Sequence, residues 1–143
     1  MKYKSQSKQI DLNIKKHCFY IIPFKDGDFF KFGMTSDVLV RVLSLNRKHN
    51  LDLKKAIFFR FSEYNKALIL ERFISKLVMQ NKNCPYKKIF KYVEVRDMKH
   101  FDFCKKEARY FSEKLNGEHF YFRNFKIRFD EAIIIGKRNK RET

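Results

Sequence analysis

The sequence predicts an α+β domain in which a small antiparallel sheet carries helices, with a further helix and strand at the C-terminal end. Three observations point there. Two aromatic-rich runs, HCFYIIPF (17–24) and FFKFGMT (29–35), flank KDGD, whose glycine suits a tight hairpin turn. Behind them the apolar spacing changes from near-alternation to the helical interval. The chain has 143 residues, 44% hydrophobic and 17% aromatic with only 4 Gly and 2 Pro, which fits one packed domain and not a disordered chain.

Taken in order, residues 1–16 read as a basic arm and 17–35 as the hairpin. TSDVLVRVLSLNRKH then opens a helix capped by Ser36 or Asp37, with Val38, Val42 and Leu45 on one face. KKAIFFRFS (54–62) reads as a third strand. EYNKALILERFISKLVMQN (63–81) is the strongest helix, its broad apolar face made of Leu70, Phe73, Ile74, Leu77 and Val78. After the break NKNCPY, the segment KIFKYVEV (88–95) is a strand candidate. FDFCKKEARYFSEKLNG (101–117) is a helix with Gly117 as its C-cap, and EHFYFRNFKIRF (118–129) alternates like a half-exposed strand. The organisation expected is an arm (1–16), a core (17–96) and a C-terminal elaboration with a basic tail (97–143).

Charge narrows the partners. Thirty-three Lys and Arg against 16 Asp and Glu give +17 at pH 7. Self-repulsion of that size points to an acidic partner: nucleic acid first, then an anionic membrane surface or an acidic protein. Basic residues interleave with aromatics in FFKFG, FFRF, YFRNFKIRF and KNCPYKKIFKY. The plainer reading is that the phenylalanines are core and the cations their solvent-facing alternates. Three widely spaced cysteines, Cys18, Cys84 and Cys104, lack zinc-ligand spacing and fit a reducing, intracellular setting. Neither a signal peptide nor a membrane span is expected. The abundance of Lys, Asn, Ile and Phe hints at an A+T-rich genome, such as that of a phage or a large DNA virus.

Four residues stand out. A hairpin can set Tyr20 beside Lys31, because antiparallel neighbours lie about 4.8 Å apart. Arg41 falls between Val38 and Leu45, at the margin of its helix's apolar face, where a lone guanidinium needs an anion. Glu71 sits on the edge of the next apolar face, where a carboxylate needs a cation. An Arg41–Glu71 salt bridge would satisfy both; metal ligation by Glu71 is the other reading.

At these residues the sequence resembles the GIY-YIG nucleases. Cys18-Phe19-Tyr20 stands where that family has G-I-Y, and Lys31-Phe32-Gly33 where it has Y-I-G. An arginine follows eight residues after Gly33, a glutamate lies on a later helix, and Asn83 falls twelve residues past Glu71. The lysine in the second motif resembles a phage- and virus-associated branch. The resemblance implies a three-stranded antiparallel sheet packed with helices, and an endonuclease that hydrolyses DNA phosphodiesters with Mg²⁺ or Mn²⁺ on Glu71. It further implies that Arg41 holds the phosphate, that Tyr20 or Lys31 activates water, and that Asn83 lies near the site. Two positions depart from the pattern. Cys18 replaces the first glycine, and Leu45 stands where His or Tyr is common, with His49 a stand-in one turn on. The competing expectations are a catalytically inactive DNA- or RNA-binding module on the same fold, and a basic protein for an acidic partner. A homodimer is the arrangement in which two subunits would combine to cut both strands.

Overall fold

The structure, a computed structural model, describes residues 17–88 and 94–124. Its frame is an antiparallel sheet of five strands: β1 (His17–Pro23), β2 (Phe29–Thr35), β3 (Ile57–Phe61), β4 (Val95–Asp97) and β5 (Glu118–Tyr121), in the order β4-β2-β1-β3-β5. Three helices accompany it: α1 (Val38–Lys48), α2 (Tyr64–Leu77) and α3 (Phe101–Lys114). The α+β class is thus as expected. The three-stranded sheet is not: β2-β1-β3 form a central trio, and β4 and β5 pair onto its two edges. Both trio edges are apolar runs with unpaired backbone groups, which antiparallel neighbours cover.

The continuous apolar run of β1 follows from burial on both faces. Cys18, Tyr20, Ile22 and Phe24 pack with Val38, Val42 and Leu45 of α1. Phe19 and Ile21 face the opposite way, into a layer with Ala67, Leu70 and Ile74 of α2 and Cys104 and Ala108 of α3. A strand alternates its side chains, so a central strand between two helical layers must be apolar throughout. Phe30, Phe32, Phe58, Phe59, Phe61 and Phe120 are likewise buried, so these phenylalanines are core. The turn between β1 and β2 places Gly27 at φ +80, a region open to glycine. The Asp26 carboxylate accepts from the Asp28 N–H across that turn at 2.9 Å.

Several boundaries shift. Asp37 caps α1, its side chain accepting from the Val40 N–H at 3.2 Å. The third strand starts only at Ile57, because Leu53–Lys55 form a 3₁₀ turn. Helix α2 ends at Leu77, with Val78 extended at φ −134, so neither Asn81 nor Asn83 terminates it. Helix α3 ends at Lys114, and the left-handed residue behind it is Asn116 (φ 60), not Gly117. Gly117 is needed for space instead, since a Cβ there would run into the Phe61 ring. Strand β5 gives way to a 3₁₀ turn at Phe122–Asn124, and residues 125–129 of the expected strand lie outside the described residues. Most of the 88–95 candidate lies outside them too; the described strand is Val95–Asp97. The arm (1–16) and the tail beyond 124 are also outside.

Buried Arg96 fixes β4 against α2. Its guanidinium donates to the carbonyls of Val78 (2.9 Å), Val95 (3.0 Å) and Ser75 (3.2 Å), and lies 5.1 Å from the Phe32 ring centroid. A cation on the last carbonyls of a helix satisfies acceptors that have no intrahelical donor and complements the helix dipole. Asn81 adds a second tie, donating to both Asp97 carboxylate oxygens at 3.0 and 3.3 Å.

Candidate functional site

Hairpin register sets the first contacts. Tyr20 pairs with Gly33 across the β1–β2 ladder, and Lys31 pairs with Ile22. Partners opposite one another share a face, so Tyr20, Gly33, Ile22 and Lys31 all start on the α1 side. The Tyr20 ring lies across Gly33, where an added Cβ would sit only 2.6 Å from the phenol oxygen. Gly33 is therefore the residue that lets the phenol reach its position.

Arg41 comes to that phenol from α1: its Nε donates to Tyr20 Oη at 3.2 Å. Among the described residues the Arg41 guanidinium has no carboxylate partner, so its terminal amino groups remain able to donate to an anion. The Arg41–Glu71 salt bridge is absent among the described residues. Tyr20 itself is fully buried. Burial pushes its phenol above the ordinary value of 10, outweighing the hydrogen bond and charge of Arg41, which pull it down.

Lys31 is 1% exposed, so it is no solvated alternate between Phe30 and Phe32. Its ammonium donates to the Phe32 carbonyl and to Glu94 Oε1, each at 3.1 Å, and lies 5.7 Å from the Tyr20 ring centroid. The Phe32 N–H donates to the Glu94 carbonyl at 2.9 Å. In an antiparallel strand N–H and C=O of one residue point the same way. The amine has therefore turned toward the β4 edge of β2. Burial lowers the Lys31 pKa from its usual 10.5, and the Glu94 carboxylate works against that.

Glu71 reaches the same edge from α2. Its carboxyl is half-buried, and it feels the Glu94 carboxyl and the positive charge of Lys31. Desolvation first, then the hydrogen bond and the like charge of Glu94, push it up to about 8. Glu94 in turn accepts from the Lys31 ammonium at 3.1 Å.

The structure accordingly brings together Tyr20, Lys31, Arg41 and Glu71, and adds Glu94, which sequence reasoning missed. No signal marked Glu94, because a lone glutamate ahead of a three-residue strand looks like any surface acid; only the β2–β4 pairing places it. Asn83 does not join them: it is exposed, and its backbone N–H donates to Asn81 Oδ1 at 2.9 Å in the turn after α2. Helix α2 ends four residues earlier than expected, so this segment turns toward Asp97. Leu45 is a core residue of the α1 layer. His49 sits edge-on to Phe24 (6.0 Å) and Tyr86 (6.3 Å), its pKa lowered by burial first and then by Lys48 and Lys31. Cys18, Cys84 and Cys104 are all buried free thiols. Burial raises Cys18 to about 12 and Cys104 to about 11, so neither offers a thiolate.

No cluster of three or more His, Cys, Asp or Glu side chains able to hold a metal occurs among the described residues. Among the described residues the carboxyl groups at this site are those of Glu71 and Glu94. That does not suit tetrahedral zinc but does suit Mg²⁺ or Mn²⁺, hard ions that retain waters and complete their shell with phosphate oxygen. No described helix is long and apolar enough to cross a membrane. No protein-family model, curated protein or solved structure matches the chain.

Proposed function

We propose that this chain is a divalent-metal-dependent endonuclease acting on DNA. One observation carries the reading: a phenol, a guanidinium, an ammonium and two carboxyl groups from five separate segments meet at one margin of the sheet. Such a mixture is costly to bury unless it serves an anion and a cation. Arg41 anchors the scissile phosphate through its unpartnered amino groups, a charge-assisted contact. Glu71 and Glu94 would hold the metal, which would supply charge neutralisation at the phosphate and at the leaving oxygen.

For the proton of the attacking water, Lys31 and Tyr20 are the two candidates, and the Glu94 ion pair of Lys31 would have to be released for the lysine to serve. Burial biases the lysine toward its neutral, basic form and the phenol away from its anionic, basic form. With the lysine as base, Tyr20 orients the water and keeps Arg41 in place. The resemblance to the GIY-YIG nucleases supports a role for Tyr20 and Lys31 in activating water and leaves open which of them is the base. DNA has a further surface available in a cleft of about 1080 Å³ lined by Lys25, Lys54, Tyr121, Phe122 and Arg123, away from the five residues. Cations there contact phosphates, and Tyr121 already lies under the Arg123 guanidinium at 5.5 Å.

Full burial of Tyr20 favours the second reading, a nucleic-acid-binding module without catalysis. Supercoiled plasmid with Mg²⁺ or Mn²⁺ separates the two. The nuclease nicks it, Glu71→Ala and Arg41→Ala each reduce nicking at least about a hundredfold, and DNA retention by Glu71→Ala is unchanged. Retention without nicking under either metal would leave the binding module.

A further inference from the structure

We propose that two recesses at one end of the sheet form a continuous track for an unpaired DNA strand, with Tyr121 as the ring on which a base stacks. This rests on the nucleic-acid reading above and not on cleavage. Ile57, the first residue of β3, pairs with Tyr121, the last of β5, at the sheet end that also carries the β1–β2 turn. One recess, of about 1080 Å³, is lined by Asn46 of α1 and by Leu51, a core residue of the α1 layer. The other, of about 480 Å³, is lined by Phe101 and Lys105 of α3, on the opposite side of the sheet. Lys54 and Tyr121 line both, so the recesses adjoin. The chain divides at the junction: Tyr121 packs on the α2–α3 layer and Phe122 on the α1 layer.

Lys25, Lys54, Lys55, Lys105 and Arg123 line the two recesses against Asp52 and Asp102, an excess of positive charge that attracts an anion. Among the described residues none of these five cations forms a salt bridge. A chain of net charge +17 is basic over much of its surface, so charge alone does not choose the ligand. Shape does. Clefts of about 300–1,000 Å³ take drug-sized molecules, a size that includes a nucleotide. Duplex DNA keeps its bases stacked inside and is stiff over about 150 base pairs. It therefore neither enters such recesses nor turns from one face of a sheet to the other within a single domain. An unpaired strand does both. At the junction the Tyr121 ring is half-buried, its backbone N–H donates to Asn124 Oδ1 at 2.7 Å, and the Arg123 guanidinium lies 5.5 Å from the ring centroid. Ring and guanidinium both offer flat faces to an unpaired base.

The test compares three labelled probes by fluorescence anisotropy, with the full-length chain in chelator so that nothing is cut. One is an oligothymidylate of about twelve nucleotides, within the range of known single-strand sites. The second is its duplex with oligodeoxyadenylate, and the third has the same phosphates on abasic sugars. Wild type binds the first at least about tenfold more tightly than either of the others. Tyr121→Leu loses about tenfold on the single strand, the scale of one lost base stack, and Tyr121→Phe does not. Neither changes duplex binding. Lys54→Ala lowers the slope of log affinity against log salt for the single strand by about 0.7.

Thermal melts accompany every variant; if Tyr121→Leu does not fold, the abasic probe on wild type and the Lys54→Ala slope decide. Equal affinity for the three probes, Tyr121→Leu binding the single strand like Tyr121→Phe, or an unchanged slope in Lys54→Ala would each overturn the track. A track that fails beside a nicked plasmid leaves the nuclease standing. The expected binding pattern beside an uncut plasmid removes the nuclease and leaves the track.

Discussion

A phenol directed across a glycine is what joins the two hairpin motifs. Gly33 keeps an ordinary negative φ, so its role is spatial, and the nearest atom to a Cβ there is the phenol oxygen that bonds Arg41. Gly33→Ala should therefore displace the Tyr20 ring and break its bond to Arg41. We expect a loss of about 1–3 kcal/mol in urea unfolding, the range for overpacking a filled core. A tyrosine fluorescence change with no effect from Tyr20→Phe would show that the glycine acts elsewhere. Single residues were also where the sequence was least informative. Lys31 looked like a hairpin surface lysine or a catalytic one, and its burial is decided by β4, which covers the edge of β2.

At the scale of elements, most of the architecture was legible, because each signal is local. The glycine turn, the Asp37 cap, the α1 face of Val38, Val42 and Leu45, and the α2 face through Leu70 and Ile74 need only neighbours a few residues away. Ends and edges were less legible. Helix α2 stops at Leu77 because Arg96, from another strand, takes up its last carbonyls. Replacing that cation tests how firmly α2, and with it Glu71, is held. Arg96→Met removes bonds from a buried charged donor and should cost roughly 2–3 kcal/mol by denaturant unfolding. It should also raise amide exchange in the last turn of α2 more than in α1. Equal exchange in both helices would mean that Arg96 is merely a filler beside Phe32.

For the molecule as a whole, the raised pKa of Glu71 links stability to pH. The folded protein holds Glu71 protonated up to about 8, while an unfolded glutamate releases its proton near 4.5. Between those values the native state binds more protons, so this group's contribution to stability declines as pH rises through the window. Glu71→Gln cannot ionise. In chelator, its melting temperature relative to wild type should climb from pH 5 to pH 8.5, and Mn²⁺ should diminish the difference by stabilising wild type. A constant difference across that range would show that Glu71 does not keep its proton into that window. The +17 charge acts at the same scale: it explains why an acidic partner is sought, and says nothing of which sequence is bound.

What the sequence determined by itself was a basic α+β chain, its hairpin, its three helices and the marginal placement of Arg41 and Glu71 on apolar helix faces. Those follow from composition and short-range periodicity, whereas the roles expected of Tyr20 and Lys31 came from the resemblance. Strand pairing decided the rest: two more strands on the sheet, Lys31 turned inward, Glu94 beside Glu71, and Asn83 left at the surface. Contacts between residues 63 positions apart, such as Lys31 and Glu94, depend on which edges meet, and no pattern of nearby side chains encodes that choice.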